Sequence, residues 1–154
     1  MLKWSMPTLA ENRKARFDYE FLEKYEAGLE LKGFEVKAIR KGLMSLDGSY
    51  VAIIGNQGFL INAKIAPYQP LNTPKDYEID RSRRILMKRK EINYLLGKSK
   101  ERGLTLIPTN VYTKGNRIKL GIGVGRGRKK FDKREVLKKK ATEREIQRFL
   151  KKEY

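Results

Sequence analysis

The sequence predicts a mainly β chain with inserted helices, an antiparallel barrel of about six strands followed by a basic C-terminal tail. Three features carry that reading. Apolar and polar residues alternate with period two, a Gly-rich turn joins two β-rich runs, and one strand carries glycine at every second position. A length of 154 residues suits one domain with one core.

From Phe17 to Leu31 the odd positions are Phe17, Tyr19, Phe21, Glu23, Tyr25, Ala27, Leu29 and Leu31, while Asp18, Glu20, Lys24, Glu26 and Glu30 hold even ones. This is a half-buried strand with an irregularity near Glu23. Gly33 to Arg40 sets Phe34, Val36 and Ile39 beside Lys37 and Arg40, the pattern of a short helix plugging one end of a sheet. Ser49 to Ile54 and Phe59 to Ile65 flank Gly55-Asn56-Gln57-Gly58 as a hairpin, and APYQPLNTPKD reads as loop.

Asp80 or Ser82 is placed to cap a helix reaching Arg102, with Ile85, Ile92, Leu95 and Leu96 on one stripe and Gly103 as its stop. Arg81, Arg83, Arg84, Lys88, Arg89 and Lys90 crowd its beginning against the helix dipole. A bound anion and a solvated basic face both answer that conflict. Leu104 to Ile107 and Asn110 to Thr113 read as strand, Lys114-Gly115-Asn116 as a turn, and Arg117 to Val124 as the return. That return strand alternates Ile118, Leu120, Ile122 and Val124 with Lys119, Gly121, Gly123 and Gly125. Its glycine face permits either sharp curvature or the close approach of another backbone. Taken together, the elements come closest to an OB-like barrel.

The chemistry is bounded by what is missing. There is no Cys and no His, which removes disulfides, thiolate metal sites, Cys nucleophiles and the commonest general base. The balance of 36 Lys and Arg against 18 Asp and Glu leaves a formal charge of +18, and nucleic acid is the natural counter-ion. An anionic membrane asks for a broad apolar helix face or a lipidation signal, and neither is found. The N-terminal segment MLKWSMPTLAEN has no apolar run followed by a cleavage site, so a cytoplasmic chain is expected.

Residues 1–10 read as an N-terminal extension, 11–125 as an RNA-binding barrel and 126–154 as the basic tail. The tail holds 13 basic and 5 acidic residues, a net +8 over 29 positions. Its sequence is rich in helix formers, yet Leu137 and Ala141 face away from Ile146, Phe149 and Leu150 on a helix wheel. Two readings follow: a segment disordered alone and helical on a partner, or an ordinary packed helix.

Gly97-Lys98-Ser99 looks like the end of a phosphate-binding loop, but Ile92 stands where the Walker pattern needs glycine. GIGVGRG from Gly121 has glycine at alternate positions and opens no helix, so it is no dinucleotide motif. Asp18, Glu20, Glu26 and Glu30 spread too far along one strand to converge on one Mg²⁺, which leaves a nuclease behind the RNA-binding readings, a ribosomal protein or translation factor among them. No enzyme activity, cofactor or metal is expected.

The segment ENRKARFDYEFLEKYEAGLELKGFEVKAIRKG, Glu11 to Gly42, resembles the opening of the bacterial SsrA-binding protein family, small protein B. The resemblance continues in order through DGSYVAI, FLINAKIAPY, DRSRRILMKRKEINYLLGKSKERGLTLIP and IGVGRGRKKFDKRE, covering Ala10 to Lys140. It implies an oligonucleotide-binding barrel that grips the tRNA-like domain of transfer-messenger RNA and carries it to stalled ribosomes. The implied partners are that RNA, small-subunit rRNA and, through the charged RNA, elongation factor Tu, with a monomer when free.

Carried onto this chain, the RNA face includes Asn12, Arg13, Lys14, Glu26, Leu86 and Lys119; Arg16, Phe17, Lys37, Arg40, Arg81, Arg83, Arg84, Lys88, Arg128, Lys129 and Lys130 complete the set expected to bind RNA. Asp132, Lys133 and Arg134 match the tail motif directed to the ribosomal decoding centre. Lys and Arg suit phosphates, Glu26 accepts from base amino groups, and Leu86 supports a flat base. Read without the resemblance, Glu26 is equally a surface partner of Lys24 and Leu86 a core residue. Two positions depart from the family: Phe17 stands where it often has His, and Glu78-Ile79-Asp80 where it has His-Asp-Pro. Residues Met1 to Ser5 lie outside the resemblance, which makes Met6 an alternative start.

Overall fold

A computed structural model describes residues 7–153, and for residues 130–132, 136, 149 and 151–153 the backbone alone. The choice between Met1 and Met6 as start lies outside the described residues. Among the described residues nine strands form two antiparallel sheets, with four α-helices around them. In chain order they are β1 Thr8–Glu11, α1 Arg13–Asp18, β2 Tyr19–Leu29, α2 Gly33–Arg40, β3 Met44–Ser45, β4 Tyr50–Ile54 and β5 Gln57–Ile61. Then come β6 Lys64–Ile65, a 3₁₀ turn Pro70–Asn72, β7 Arg83–Leu86, α3 Arg89–Lys100, β8 Leu104–Lys114, β9 Arg117–Gly127 and α4 Lys130–Glu153.

The large sheet has seven strands in the order β1-β8-β9-β2-β7-β5-β4, and β3 pairs with β6 in a separate two-stranded sheet. The barrel is therefore not closed: β1 and β4 are the two edges of an open sheet. A closed barrel needs its first and last strands to exchange backbone hydrogen bonds. Here β1 is spent on the end of β8, pairing Thr8, Ala10 and Glu11 with Tyr112, Val111 and Asn110. One face carries the core, in which Ile39, Leu60, Ile65, Leu95, Val111, Leu120, Ile122 and Val124 are wholly buried. Each such side chain contributes about 1.5–3 kcal/mol relative to exposure.

The period-two run expected from Phe17 begins two residues later. Asn12 caps α1, accepting from the Ala15 amide at 3.2 Å, and this short helix takes Phe17 and Asp18. More consequentially, the register of β2 on β9 shifts between Phe21 and Glu23. Phe21 pairs with Gly125 on the glycine-bearing face, whereas Tyr25 and Ala27 pair with Ile122 and Leu120 on the core face. The irregularity expected near Glu23 is thus a bulge at Leu22, and it sends the odd positions before and after it to opposite faces.

The bulge also explains the glycines. A Cβ on Gly123 would lie 2.5 Å from the Phe21 ring, and one on Gly121 would lie 2.2 Å from Oδ1 of Asn110. Side chains of the two neighbouring strands, rather than another backbone, occupy the space the glycines leave.

Helix α2 spans the predicted residues, and the hairpin turns at Gly55-Asn56 with β5 starting at Gln57. The helix expected from Asp80 or Ser82 starts only at Arg89, capped by Lys88, whose amide donates to Glu91 at 3.3 Å. What precedes it is strand β7, with Arg83 and Ile85 buried and Arg84 and Leu86 exposed. Of the six basic residues thought to crowd a helix start, only Arg89 and Lys90 enter the first turn, so the anion-at-helix-start reading falls. Gly103 does end the segment, at φ +82. β8 is one strand, not two, with a register shift between Pro108 and Asn110.

Candidate nucleic-acid interface

The interface is built by cross-strand register. The two-residue turn at Gly115-Asn116 sets Lys114 opposite Arg117 and Tyr112 opposite Lys119. On the other side of β9, Lys119 stands opposite Gly28, and Gly28 opposite Leu86. One row across four strands therefore reads Tyr112, Lys119, Gly28, Leu86, and the next places Glu26 opposite Gly121. Gly28 leaves a gap between Lys119 and Leu86; a Cβ there would come within 3.3 Å of the Leu86 Cβ.

The result is a cleft of about 430 Å³ whose lining includes Glu26, Gly28, Arg84, Leu86, Lys88 and Lys119. Leu86 is 48% exposed, an apolar side chain facing outward rather than a core residue. Glu26 accepts from the Tyr112 hydroxyl at 2.5 Å and from the Lys114 ammonium at 3.3 Å, so its partners are not Lys24. The Tyr112 hydrogen bond holds the Glu26 carboxyl below its ordinary range against the opposing effect of burial, with Lys114 and Lys119 adding to it. Burial and the Glu26 carboxylate push the Tyr112 phenol up, which keeps it a donor. An ionised carboxylate with two donors retains acceptor directions for a ligand. Arg84 lies 3.9 Å from Glu30 and keeps its guanidinium half exposed.

Tyr112, Lys114 and Gly28 were missed by sequence reasoning. The Gly115-Asn116 turn fixes the Tyr112–Lys119 pair by counting outward from it, and that signal was available.

A second group of candidates meets at the other end of β2. Arg13, Lys14 and Arg16 are exposed on α1, Arg13 lying 3.5 Å from Glu11. Lys14 lines a cleft of about 390 Å³ with Asn12, Asp18, Tyr19, Tyr50 and Thr105 among others. The Arg128 amide donates to the Asp18 carbonyl at 2.8 Å, and its Nε to the Tyr19 carbonyl at 3.2 Å. Lys133 lies 3.1 Å from the Asp18 carboxylate and 5.7 Å from the centre of the Phe17 ring. Lys129 and Arg134 are exposed, while the side chains of Lys130 and Asp132 lie outside the described residues. Helix α4 is basic and leaves Leu137, Ile146 and Leu150 half exposed.

Other candidates are committed to contacts within the protein or lie apart from both clefts. Asn12 is buried, its side-chain amide donating to the Pro108 carbonyl at 2.8 Å and its side-chain carbonyl capping α1, so it holds α1 in place. Arg83 is 0% exposed; its Nη2 lies 2.6 Å from Glu35 and its Nη1 2.6 Å from the Ala63 carbonyl. Arg81 also donates twice to Glu35, and the Tyr77 hydroxyl donates to the same carboxylate at 3.1 Å. Burial pushes the Glu35 carboxyl up, but Arg81, the Lys32 amide and Arg83 outweigh it and hold it at about 2. Arg81 and Arg83 thus neutralise Glu35, and Arg83 is out of reach of solvent. Arg40 donates to the Asn116 carbonyl at 3.0 Å, tying α2 to the β8–β9 turn, and Lys37 is exposed on α2.

Among the described residues no three Asp or Glu side chains converge as a metal site, and no helix is long and apolar enough to cross a membrane.

Residues 9–152 match the family model described as SmpB protein. The chain belongs to the SmpB family. An SsrA-binding protein of Carboxydothermus hydrogenoformans is 46% identical over 146 residues, covering 95% of this chain and 97% of that one. Another, of Gloeothece citriformis, is 45% identical over 93% of this chain and 92% of its own. Among solved structures, a chain from "tmRNA-SmpB: a journey to the center of the bacterial ribosome" is 40% identical, with a TM-score of 0.65 over 78% of this chain and 84% of that one.

Proposed function

We infer that this family member binds the tRNA-like domain of transfer-messenger RNA and delivers it to stalled ribosomes for trans-translation. The observation that carries the reading is the meeting of Glu26, Leu86 and Lys119 around the side-chain-free Gly28. A carboxylate acceptor, an apolar platform and a cation within one open cleft suit an unpaired nucleotide: base edge, base face and phosphate. The outward face of the open, OB-like sheet would then carry the RNA, and Arg84 and Lys88 extend its charge.

The tail at residues 126–154, beginning with Asp132, Lys133 and Arg134, is read as the ribosome-facing part, engaging small-subunit rRNA in the bacterial cytoplasm. Elongation factor Tu joins through the charged RNA, and the protein itself performs no chemistry. The runner-up is a general RNA-binding translation factor. Competition separates the two at one fixed salt concentration: unlabelled tRNA-like domain displaces labelled transfer-messenger RNA stoichiometrically, whereas bulk tRNA needs a large excess. Equal competition overturns the reading. Truncation after Lys130 leaves that affinity within about tenfold, because only long-range attraction is lost, while peptidyl transfer to the charged RNA on a stalled ribosome nearly vanishes.

A further inference from the structure

The β2–β9 ladder ends at Tyr19 opposite Gly127. Helix α1 enters this corner just before Tyr19, and the tail leaves it just after Gly127. The Arg128 amide continues the ladder one step by bonding to the Asp18 carbonyl at 2.8 Å. The Asp18 carboxylate then meets the Lys133 ammonium at 3.1 Å, with side chains only 26% and 35% exposed. That ammonium also stands 5.7 Å from the Phe17 ring, at the position where the resembling family often carries His. Two consecutive residues of α1 therefore hold one cation of the tail's first turns from two sides, by a partly desolvated ion pair and by a cation–π contact.

We propose that Asp18 is a positioning residue for the tail: through Lys133 it fixes the direction in which α4 leaves the sheet, and so where Arg134 and the residues beyond it stand relative to bound RNA. This rests on the reading above that the tail acts on the ribosome. The same α1 turns Arg13, Lys14 and Arg16 toward solvent. RNA held by those side chains and the start of the tail are thus referred to one short rigid element, capped by Asn12 and pinned to β8 through the Pro108 carbonyl. A tail held at Arg128 by its amide and its Nε, but without the Lys133 contacts, would keep its origin but not its heading.

The test is Asp18→Asn in the full chain, which keeps the side chain's size and removes its charge. Without RNA, amide exchange over residues 133–137 should accelerate about fivefold, the scale of a partly exposed pair, while exchange in β2 and β9 stays unchanged. Affinity for the tRNA-like domain should stay within twofold, and peptidyl transfer on stalled ribosomes should fall about fivefold. Asp18→Glu, which restores a carboxylate, should recover most of that loss. In a double-mutant cycle with Lys133→Gln, the two losses should be non-additive, because both remove one contact.

Additive losses, a fall in RNA affinity as large as the fall in transfer, or unchanged exchange over residues 133–137 would each overturn the proposal. If exchange behaves as expected but the unmutated protein does not bind the tRNA-like domain selectively, the functional reading fails and the docking of the tail stands. Should Asp18→Asn fold poorly, Lys133→Gln alone carries the exchange measurement.

Discussion

Strand β7 separates two glutamates with similar neighbours and different fates. On its outward side, Arg84 and Leu86 share a cleft with Glu26; on its inward side, Arg83 is bound to Glu35. Glu26 is partly exposed and has a phenol and a lysine as donors, whereas Glu35 is 0% exposed and has Arg81, Arg83, Tyr77 and the Lys32 amide. The first retains acceptor capacity that water or a ligand can use. The second is saturated, and its work is to hold α2 and the segment around Tyr77 against the sheet. Residue type does not distinguish an accessible carboxylate from a structural one here. Burial and the number of donors already committed do.

The sharpest way to break this contrast is to unpair the inner cluster. Glu35→Gln leaves Arg83 charged and buried, so the protein should lose about 3–5 kcal/mol of stability, read by urea unfolding. The pH dependence carries the same sign. The Glu35 carboxyl sits at about 2 against an ordinary 4.5, so its contribution is fully present above about pH 4.5 and is lost as pH falls toward 2. The loss should approach about 3 kcal/mol, and Glu35→Gln should flatten that part of the stability profile. A profile unchanged by the substitution would dissolve the distinction between the two sites.

A smaller effect is expected from Gly123→Ala, since its Cβ would sit 2.5 Å from the Phe21 ring. Moving that ring should cost about 1–3 kcal/mol, seen as a lower thermal midpoint.

The outer cleft should give the smallest changes in stability and the clearest changes in binding. Leu86→Ala, Lys119→Ala and Glu26→Gln should each stay within about 0.5 kcal/mol of the parent in stability. Lys119→Ala should weaken RNA binding and reduce the slope of log affinity on log salt by about 0.7–0.9, one phosphate contact. Glu26→Gln and Leu86→Ala should weaken binding of the cognate RNA and leave the slope unchanged. Equal slope changes for all three would show that the cleft acts only as a positive patch.

Much of this was legible in the sequence where the cause is local. The glycine alternation located β9 and its two faces, the Gly33–Arg40 pattern gave α2 residue for residue, and Lys119 and Glu26 were placed on the face they occupy. The failures share a non-local cause. Arg83 reads as one more surface cation in RSRRILMKRK because the carboxylate that buries it is 48 residues away. The same blindness turned β7 into helix: its buried positions are Arg83 and Ile85, so half of its inward face carries charge. The irregularity near Glu23 was legible as a break in the alternation, but its form was not, since the bulge at Leu22 has no glycine or proline to announce it. Sheet closure depends on where the short strand β1 docks, and no periodicity encodes that choice.

The bulge at Leu22 divides one continuous strand between two duties. Downstream of it, alternate side chains of β2 fill the core and Glu26 looks out; upstream, the same count of residues would have turned Phe21 inward. Because the strand slips by one residue, Phe21 instead lies over the glycine row, and α1, attached just upstream of Tyr19, is delivered to the corner where the tail departs. Leu22 therefore works as a gear tooth between two halves of the molecule. Pairing Leu22 into the ladder, with no residue lost, would move everything before it by one position and turn it to the opposite face, leaving each half locally intact and the two out of phase with any RNA that must touch both.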